Sequence, residues 1–116
     1  MSSLVKNRSK FHLTPPQLAS CLEQIVTCLR GRVTVAYIFG SASTGAISDG
    51  SDIDLILIHD NTTLPFIERG WEFQDLFAIY PNLDILVYTT EELKQQLAES
   101  DTGFWKSVRL SMRQIL

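Results

Sequence analysis

Asp52 and Asp54 flank a single isoleucine at the head of an apolar run, Ile53 to Ile58 (IDLILI). Ahead of them, with ten residues between, Gly40-Ser41 closes another apolar run, VTVAYIF. A buried carboxylate is costly unless it is paired or metal-bound, so acids at this position need a chemical reason. Side chains two apart on a strand share a face, so Asp52 and Asp54 project together while Ile53 and Leu55 point the other way. Carboxylates that close repel, and one pKa rises. A divalent cation removes the conflict; magnesium binds through one or two carboxylates plus substrate phosphates. A third acid, Asp84, interrupts the apolar run Leu83 to Tyr88. If that run pairs beside Ile53–Ile58, Asp84 reaches the same cluster. Three carboxylates can hold two metal ions, the arrangement used for in-line phosphoryl and nucleotidyl transfer.

Gly40-Ser41 suits the other half of such chemistry. A turn there offers backbone N–H groups and a hydroxyl to a phosphate, with glycine permitting close approach. A helical turn beginning near Ser41 adds its positive end. Gly45 gives the loop a second flexible point, and Ser51 is placed to cap Asp52 or to bond within the loop. Each feature alone has a plainer reading: D-x-D as a solvated strand end, Gly-Ser as a turn, Asp84 as the close of the turn at Pro81-Asn82. The joint spacing is what is specific.

The surrounding pattern supplies the elements that must hold these residues. Leu18, Cys21, Leu22, Ile25, Val26 and Leu29 recur at helical spacing behind Thr14 and Pro15, predicting a helix over about 15–30 that stops at Gly31. Val33 to Phe39, Ile53 to Ile58 and Leu83 to Tyr88 read as strands, the second buried on both faces. The loop 41–51 carries one helical turn near Ser43. Leu64 to Tyr80 has a helical period interrupted at Gly70. Thr90-Glu91-Glu92 opens another helix, and the last dozen residues predict one more. Residues 1–12 form a loose lead-in. The order α-β-loop-β-α-β-α-α predicts a single α/β layered domain over 1–116.

A chain of 116 residues with 45% hydrophobic and 20% charged residues falls in the globular range. Its net charge of −3 argues against nucleic acid or an anionic membrane as the main partner. The start carries no signal-peptide pattern, and no apolar stretch approaches membrane-spanning length. Cys21 and Cys28, about 10.5 Å apart along a helix, are too distant for a disulfide and read as reduced core thiols of a cytosolic protein. His59 is expected in an exposed turn, and His12 receives no role. Asp49 is one residue out of register for the acidic pair and is expected to stay solvated. Trp71, Phe73 and Phe77 are expected in the core rather than stacked on a base. Phe104 and Trp105 suit either core or partner surface.

Gly40-Ser41, the ten-residue spacing and Asp52-Ile53-Asp54 together resemble the signature of the DNA polymerase beta-like nucleotidyltransferase superfamily. Within it the chain is most similar to the minimal nucleotidyltransferases, small proteins often encoded beside HEPN-domain partners. The resemblance is close from Tyr37 to Ile58 and looser through LDILVYTTEELKQQL and GFWKSV. It implies a nucleotidyltransferase fold of the α+β kind, a small mixed sheet flanked by helices with the metal site at one edge. It implies that Asp52, Asp54 and Asp84 hold two Mg2+ ions, that Asp84 also takes the proton of the attacking hydroxyl, and that Gly40 and Ser41 hold the triphosphate. The activity implied is transfer of AMP from ATP to a protein hydroxyl, a tyrosine of a HEPN toxin, by a cytoplasmic antitoxin. Many relatives carry arginines in this loop, as in G-S-R-A-R-G. Here Gly40-Ser41-Ala42-Ser43-Thr44-Gly45 has none, and arginine is the strongest phosphate partner among side chains. One alternative is therefore a weakly active or inactive module that neutralises a HEPN partner by complex formation. Another is a small-molecule nucleotidyltransferase whose missing wall comes from oligomerisation.

Overall fold

The computed structural model describes residues 13–44, 52–99 and 103–116. The lead-in 1–12 with His12, and the loop residues Gly45, Asp49 and Ser51, lie outside the described residues. Helix α1 (Pro15–Leu29) begins as its sequence dictates. Thr14 Oγ1 accepts from Gln17 N at 3.4 Å while Gln17 Oε1 accepts from Thr14 N at 2.9 Å, a reciprocal capping box with proline in the first turn. Strand β1 (Val35–Phe39) is followed by a helical turn, α2 (Ser41–Thr44), and strand β2 (Ile53–Ile58). A 3-10 helix (Phe66–Ala78) leads to strand β3 (Leu83–Tyr88). Helices α3 (Thr90–Glu99) and α4 (Gly103–Ser111) precede a short strand β4 (Arg113–Gln114).

The sheet runs β3-β2-β1-β4, with β2 parallel to β3 and the other pairs antiparallel. Alternation along the strands splits the core. Ile53, Leu55 and Leu57 pack with Leu18, Ile25 and Leu29 of α1 and with Phe73 and Leu76 of the 3-10 helix. Ile56 and Ile58 pack with Leu93, Trp105 and Val108 of α3 and α4 on the opposite face. A strand covered on both sides must be apolar almost throughout, as IDLILI is. No helix among the described residues is long and apolar enough to cross a membrane.

Several expectations need correction. The last dozen residues are not one helix: α4 stops at Ser111 and the chain turns to pair with β1. Ile115 N donates to Ala36 O at 2.8 Å and Ala36 N to Leu116 O at 3.1 Å, supplying partners that an open β1 edge would lack. The strand expected from Val33 begins at Val35. Within the segment Leu64 to Tyr80, residues Phe66–Ala78 are wound as a 3-10 helix, and it breaks at Phe73 (φ −117°, ψ 21°), not at Gly70. Arg32 explains the break. Its guanidinium donates to the Glu72 carbonyl at 2.8 Å, grips the Asp75 carboxylate at 2.8 and 3.0 Å and lies over the Phe73 ring. The Glu72 carbonyl is thus satisfied from outside the helix while Phe73 is driven into the core. Cys28 is exposed rather than buried, and both thiols are free; burial raises the pKa of Cys21. His59 is half-buried, edge-on to Phe73 and 3.6 Å from Glu72. Trp71 and Phe77 are exposed; of the three aromatics expected in the core, Phe73 is buried there.

Candidate active site

Antiparallel pairing of β1 with β2 and parallel pairing of β2 with β3 bring the end of β1 and the starts of β2 and β3 to one end of the sheet. Phe39 is opposite Asp54, and Asp54 is opposite Asp84 on the other side. Neighbouring strands lie about 4.8 Å apart, so this register sets the two carboxylates side by side. Ile53 N donates to Asn82 O at 2.8 Å, locking the starts of β2 and β3 together. Asp52 stands just ahead of β2, partly buried, whereas Asp84 is exposed on the outer strand.

Gly40 leaves β1 with φ +74°, a left-handed conformation that glycine adopts freely. A β-carbon there would lie 2.6 Å from Asp54 Oδ2, so the backbone of the turn presses directly on the carboxylate. From Gly40 the chain winds into α2, with the Ser43 and Thr44 N–H groups donating to the Gly40 carbonyl at 3.1 and 3.3 Å. Ser111, at the end of α4, clamps the turn. Its hydroxyl accepts from Gly40 N at 2.9 Å and donates to Ser107 O at 2.8 Å, and its carbonyl accepts from the Ser43 hydroxyl. Sequence reasoning missed Ser111, because nothing in a helix-ending Leu-Ser-Met marks a contact 71 residues away.

Electrostatics match the crowding. The Asp54 carboxyl is pushed up to about 6, first by burial and then by the charges of Asp84 and Asp52. Among the described residues, no three His, Cys, Asp or Glu groups are gathered into a cluster that could hold a metal ion. Asp52, Asp54 and Asp84 nevertheless offer hard oxygen donors suited to magnesium. Of the residues expected to contact phosphate, Gly40 and Ser41 stand at this end of the sheet, and Gly45 and Ser51 are not described. Beyond Asp84, an open cleft of about 570 Å³ runs between β3 and the 3-10 helix, bordered by Trp71, Gln74 and Phe77.

Residues 23–112 match the family described as "Polymerase beta, Nucleotidyltransferase". No curated protein matches the chain. Among solved structures, a chain of a toxin-antitoxin complex with AMP-PNP is 26% identical with a TM-score of 0.56, over 82% of this chain and 72% of that one. A chain of the complex between a tri-AMPylated Shewanella oneidensis HEPN toxin and its MNT antitoxin is 23% identical with a TM-score of 0.51, over 85% and 71%. One from the MntA-HepT toxin-antitoxin is 22% identical with a TM-score of 0.50, over 84% and 71%. The last two likenesses bear on the fold alone.

Proposed function

The chain belongs to the polymerase beta nucleotidyltransferase family, and on that premise we propose that it transfers AMP from ATP to a tyrosine hydroxyl of a HEPN toxin, acting as its antitoxin. The observation that carries this reading is the register of Asp54 against Asp84 beside the Gly40 turn. The similar chain of a toxin-antitoxin complex with AMP-PNP lends support for a nucleotide and a toxin partner. In this mechanism the turn at Gly40 and Ser41 receives the β- and γ-phosphates, held in place by Ser111. The acceptor oxygen bonds to the α-phosphorus, the bond from that phosphorus to the bridging oxygen breaks, and pyrophosphate leaves. Asp84, exposed and opposite Asp54, accepts the hydroxyl proton. Magnesium, held by Asp52, Asp54 and Asp84, would neutralise phosphate charge and lower the pKa of the attacking hydroxyl.

The test is transfer from α-labelled ATP, with magnesium, to a co-purified HEPN partner. Label is expected on the partner and is lost with Asp54→Asn. Asp84→Asn slows transfer by about 10²- to 10⁴-fold, the range for a positioned proton acceptor. Transfer at the wild-type rate in both variants would sink the mechanism. A second reading, neutralisation by complex formation, is favoured by the absence of any cation on Ser41–Thr44. Under that reading the partner is inhibited without label, and Asp54→Asn inhibits as well as wild type.

A further inference from the structure

Among the described residues no strand lies beyond β3, which forms one edge of the sheet. Its pairing decides which backbone groups face outward. Ile53 N donates to Asn82 O and His59 N to Tyr88 O, so in this parallel ladder Asp84, Leu86 and Tyr88 turn their N–H and C=O groups toward β2. Leu83, Ile85 and Val87 therefore turn theirs outward. The Val87 carbonyl accepts from Arg69 Nη1 at 3.3 Å, which closes that end of the edge. Leu83 and Ile85 instead border the cleft formed with Gly70, Trp71, Gln74 and Phe77. An apolar edge of this kind is a template for another strand.

The two faces of an added strand meet different surroundings. Alternation puts Leu83 and Ile85 with the core under α1 and the 3-10 helix, and Asp84 on the other face with Asp54. Trp71, 64% exposed, and Phe77, 41% exposed, leave apolar surface uncovered beside the first face. Across the strands Phe39, Asp54 and Asp84 form one lateral row. A residue opposite Asp84 on a further strand extends that row and shares its face. Because Asp84 bonds inward to β2, an antiparallel neighbour meets it as a non-hydrogen-bonded pair, in which Cα atoms lie about 4.5 Å apart and side chains are closest. The residues on either side of that neighbour point to the opposite face, where Trp71 and Phe77 lie.

We propose that the acceptor segment of the protein substrate binds as an added antiparallel strand on β3. Its backbone pairs with Leu83 and Ile85, its hydroxyl-bearing residue stands opposite Asp84, and the residues flanking that one are apolar. This rests on the AMP-transfer reading, in which Asp84 takes the acceptor proton, and adds how the acceptor is held. No lysine or arginine lines the cleft among the described residues, so it suits uncharged flanking side chains. A second copy of the chain fits the edge poorly. Antiparallel self-pairing of Leu83 with Ile85 sets Asp84 against Asp84, and like charges directly opposite destabilise a sheet. Registers that pair Val87 need the carbonyl that Arg69 holds.

Two readouts keep the docking mode and the reaction separate. The first is the backbone amide NMR spectrum during titration with the peptide acetyl-Thr-Leu-Tyr-Leu-Thr-amide. The Ile85 N–H signal is expected to move downfield as it gains a hydrogen bond, while those of Asp84 and Leu86, already bonded to β2, move little. The same peptide N-methylated at both leucines cannot pair and is expected to leave Ile85 unmoved. No shift at Ile85, or equal shifts with both peptides, overturns the proposal. A shift of the Trp71 indole N–H without one at Ile85 shows a side chain seated alone in the cleft and also overturns it. The second readout is AMP transfer to the HEPN partner. Ile85→Pro removes the outward N–H at a sheet edge, where proline is tolerated, and is expected to raise the acceptor KM about tenfold with the KM for ATP unchanged. Trp71→Ala, on the exposed side of the 3-10 helix, is expected to do the same without touching the sheet. An unchanged acceptor KM in both variants overturns the proposal. An Ile85 shift without any transfer by the wild-type protein overturns the transferase reading while supporting β3 as a strand-docking edge.

Discussion

An alanine at position 40 faces two penalties. The left-handed backbone costs a residue with a β-carbon about 1–2 kcal/mol, and that carbon would sit 2.6 Å from Asp54 Oδ2. Gly40→Ala is expected to lower the urea midpoint accordingly and to abolish transfer, because the displaced group is the central carboxylate. Asp54 itself should show the opposite trade. Its carboxyl is raised to about 6 by burial and by Asp84 and Asp52, so the charged form is disfavoured in the folded state. That contribution to stability is complete below the ordinary carboxylate range and is lost as pH rises through about 6. A shift of about two units corresponds to ~3 kcal/mol, and solvent screening in the half-open site reduces this to about 1 kcal/mol. Asp54→Asn should therefore stabilise the metal-free protein by about 1 kcal/mol at pH 7.5, with no gain at pH 4, as thermal melts at the two pH values would read. Equal melting shifts at both would remove the electrostatic explanation.

Arg69 ties three elements together. Its guanidinium donates to the carbonyls of Leu64 (2.9 Å) and Val87 (3.3 Å) and to the Glu92 carboxylate (2.6 and 3.2 Å). Glu92 in turn accepts from Thr89 N at 2.8 Å, while Thr89 Oγ1 accepts from Glu92 N at 3.2 Å, a capping box that starts α3. One buried cation thus joins the head of the 3-10 helix, the end of β3 and the first turn of α3. Removing one member of a buried pair costs roughly 3–5 kcal/mol. Because the Glu92 side chain is 40% exposed, Arg69→Met is expected to cost about 2–3 kcal/mol in urea unfolding. Adding Glu92→Gln to it should cost little more, since the pair is already broken. A fully additive double variant would show that the two do not act as a unit.

Across the whole molecule, acidic groups pull in opposite directions. Asp75, bonded by Arg32, Asp60, bonded by the Thr90 N–H, and Glu92, bonded by Arg69, are all held below their ordinary carboxylate range. Their stabilisation is present at neutral pH and is lost as pH falls through their depressed values, the reverse of Asp54. The metal-free protein should be most stable between about pH 4 and 6, and Asp54→Asn should flatten the decline on the alkaline side. Circular dichroism melts across pH check this, and a maximum at pH 8 would contradict it. Much of this architecture is legible in the chain itself. The extents of β2 and β3, the cap at Thr14 and the acids at 52, 54 and 84 follow from alternation, capping chemistry and the cost of burying charge, all local properties. The remainder required distant partners. Arg32 sets the break at Phe73, the open edge of β1 draws in β4, Ser111 clamps Gly40 from across the sequence, and pairing of β2 with β3 puts Asp84 beside Asp54. Trp71 and Phe77 share a helical period with core residues, so periodicity assigned them to the core. The winding of the 3-10 helix and its packing against β3 decided instead that they face the cleft, because which face of an element is buried depends on what lies across from it.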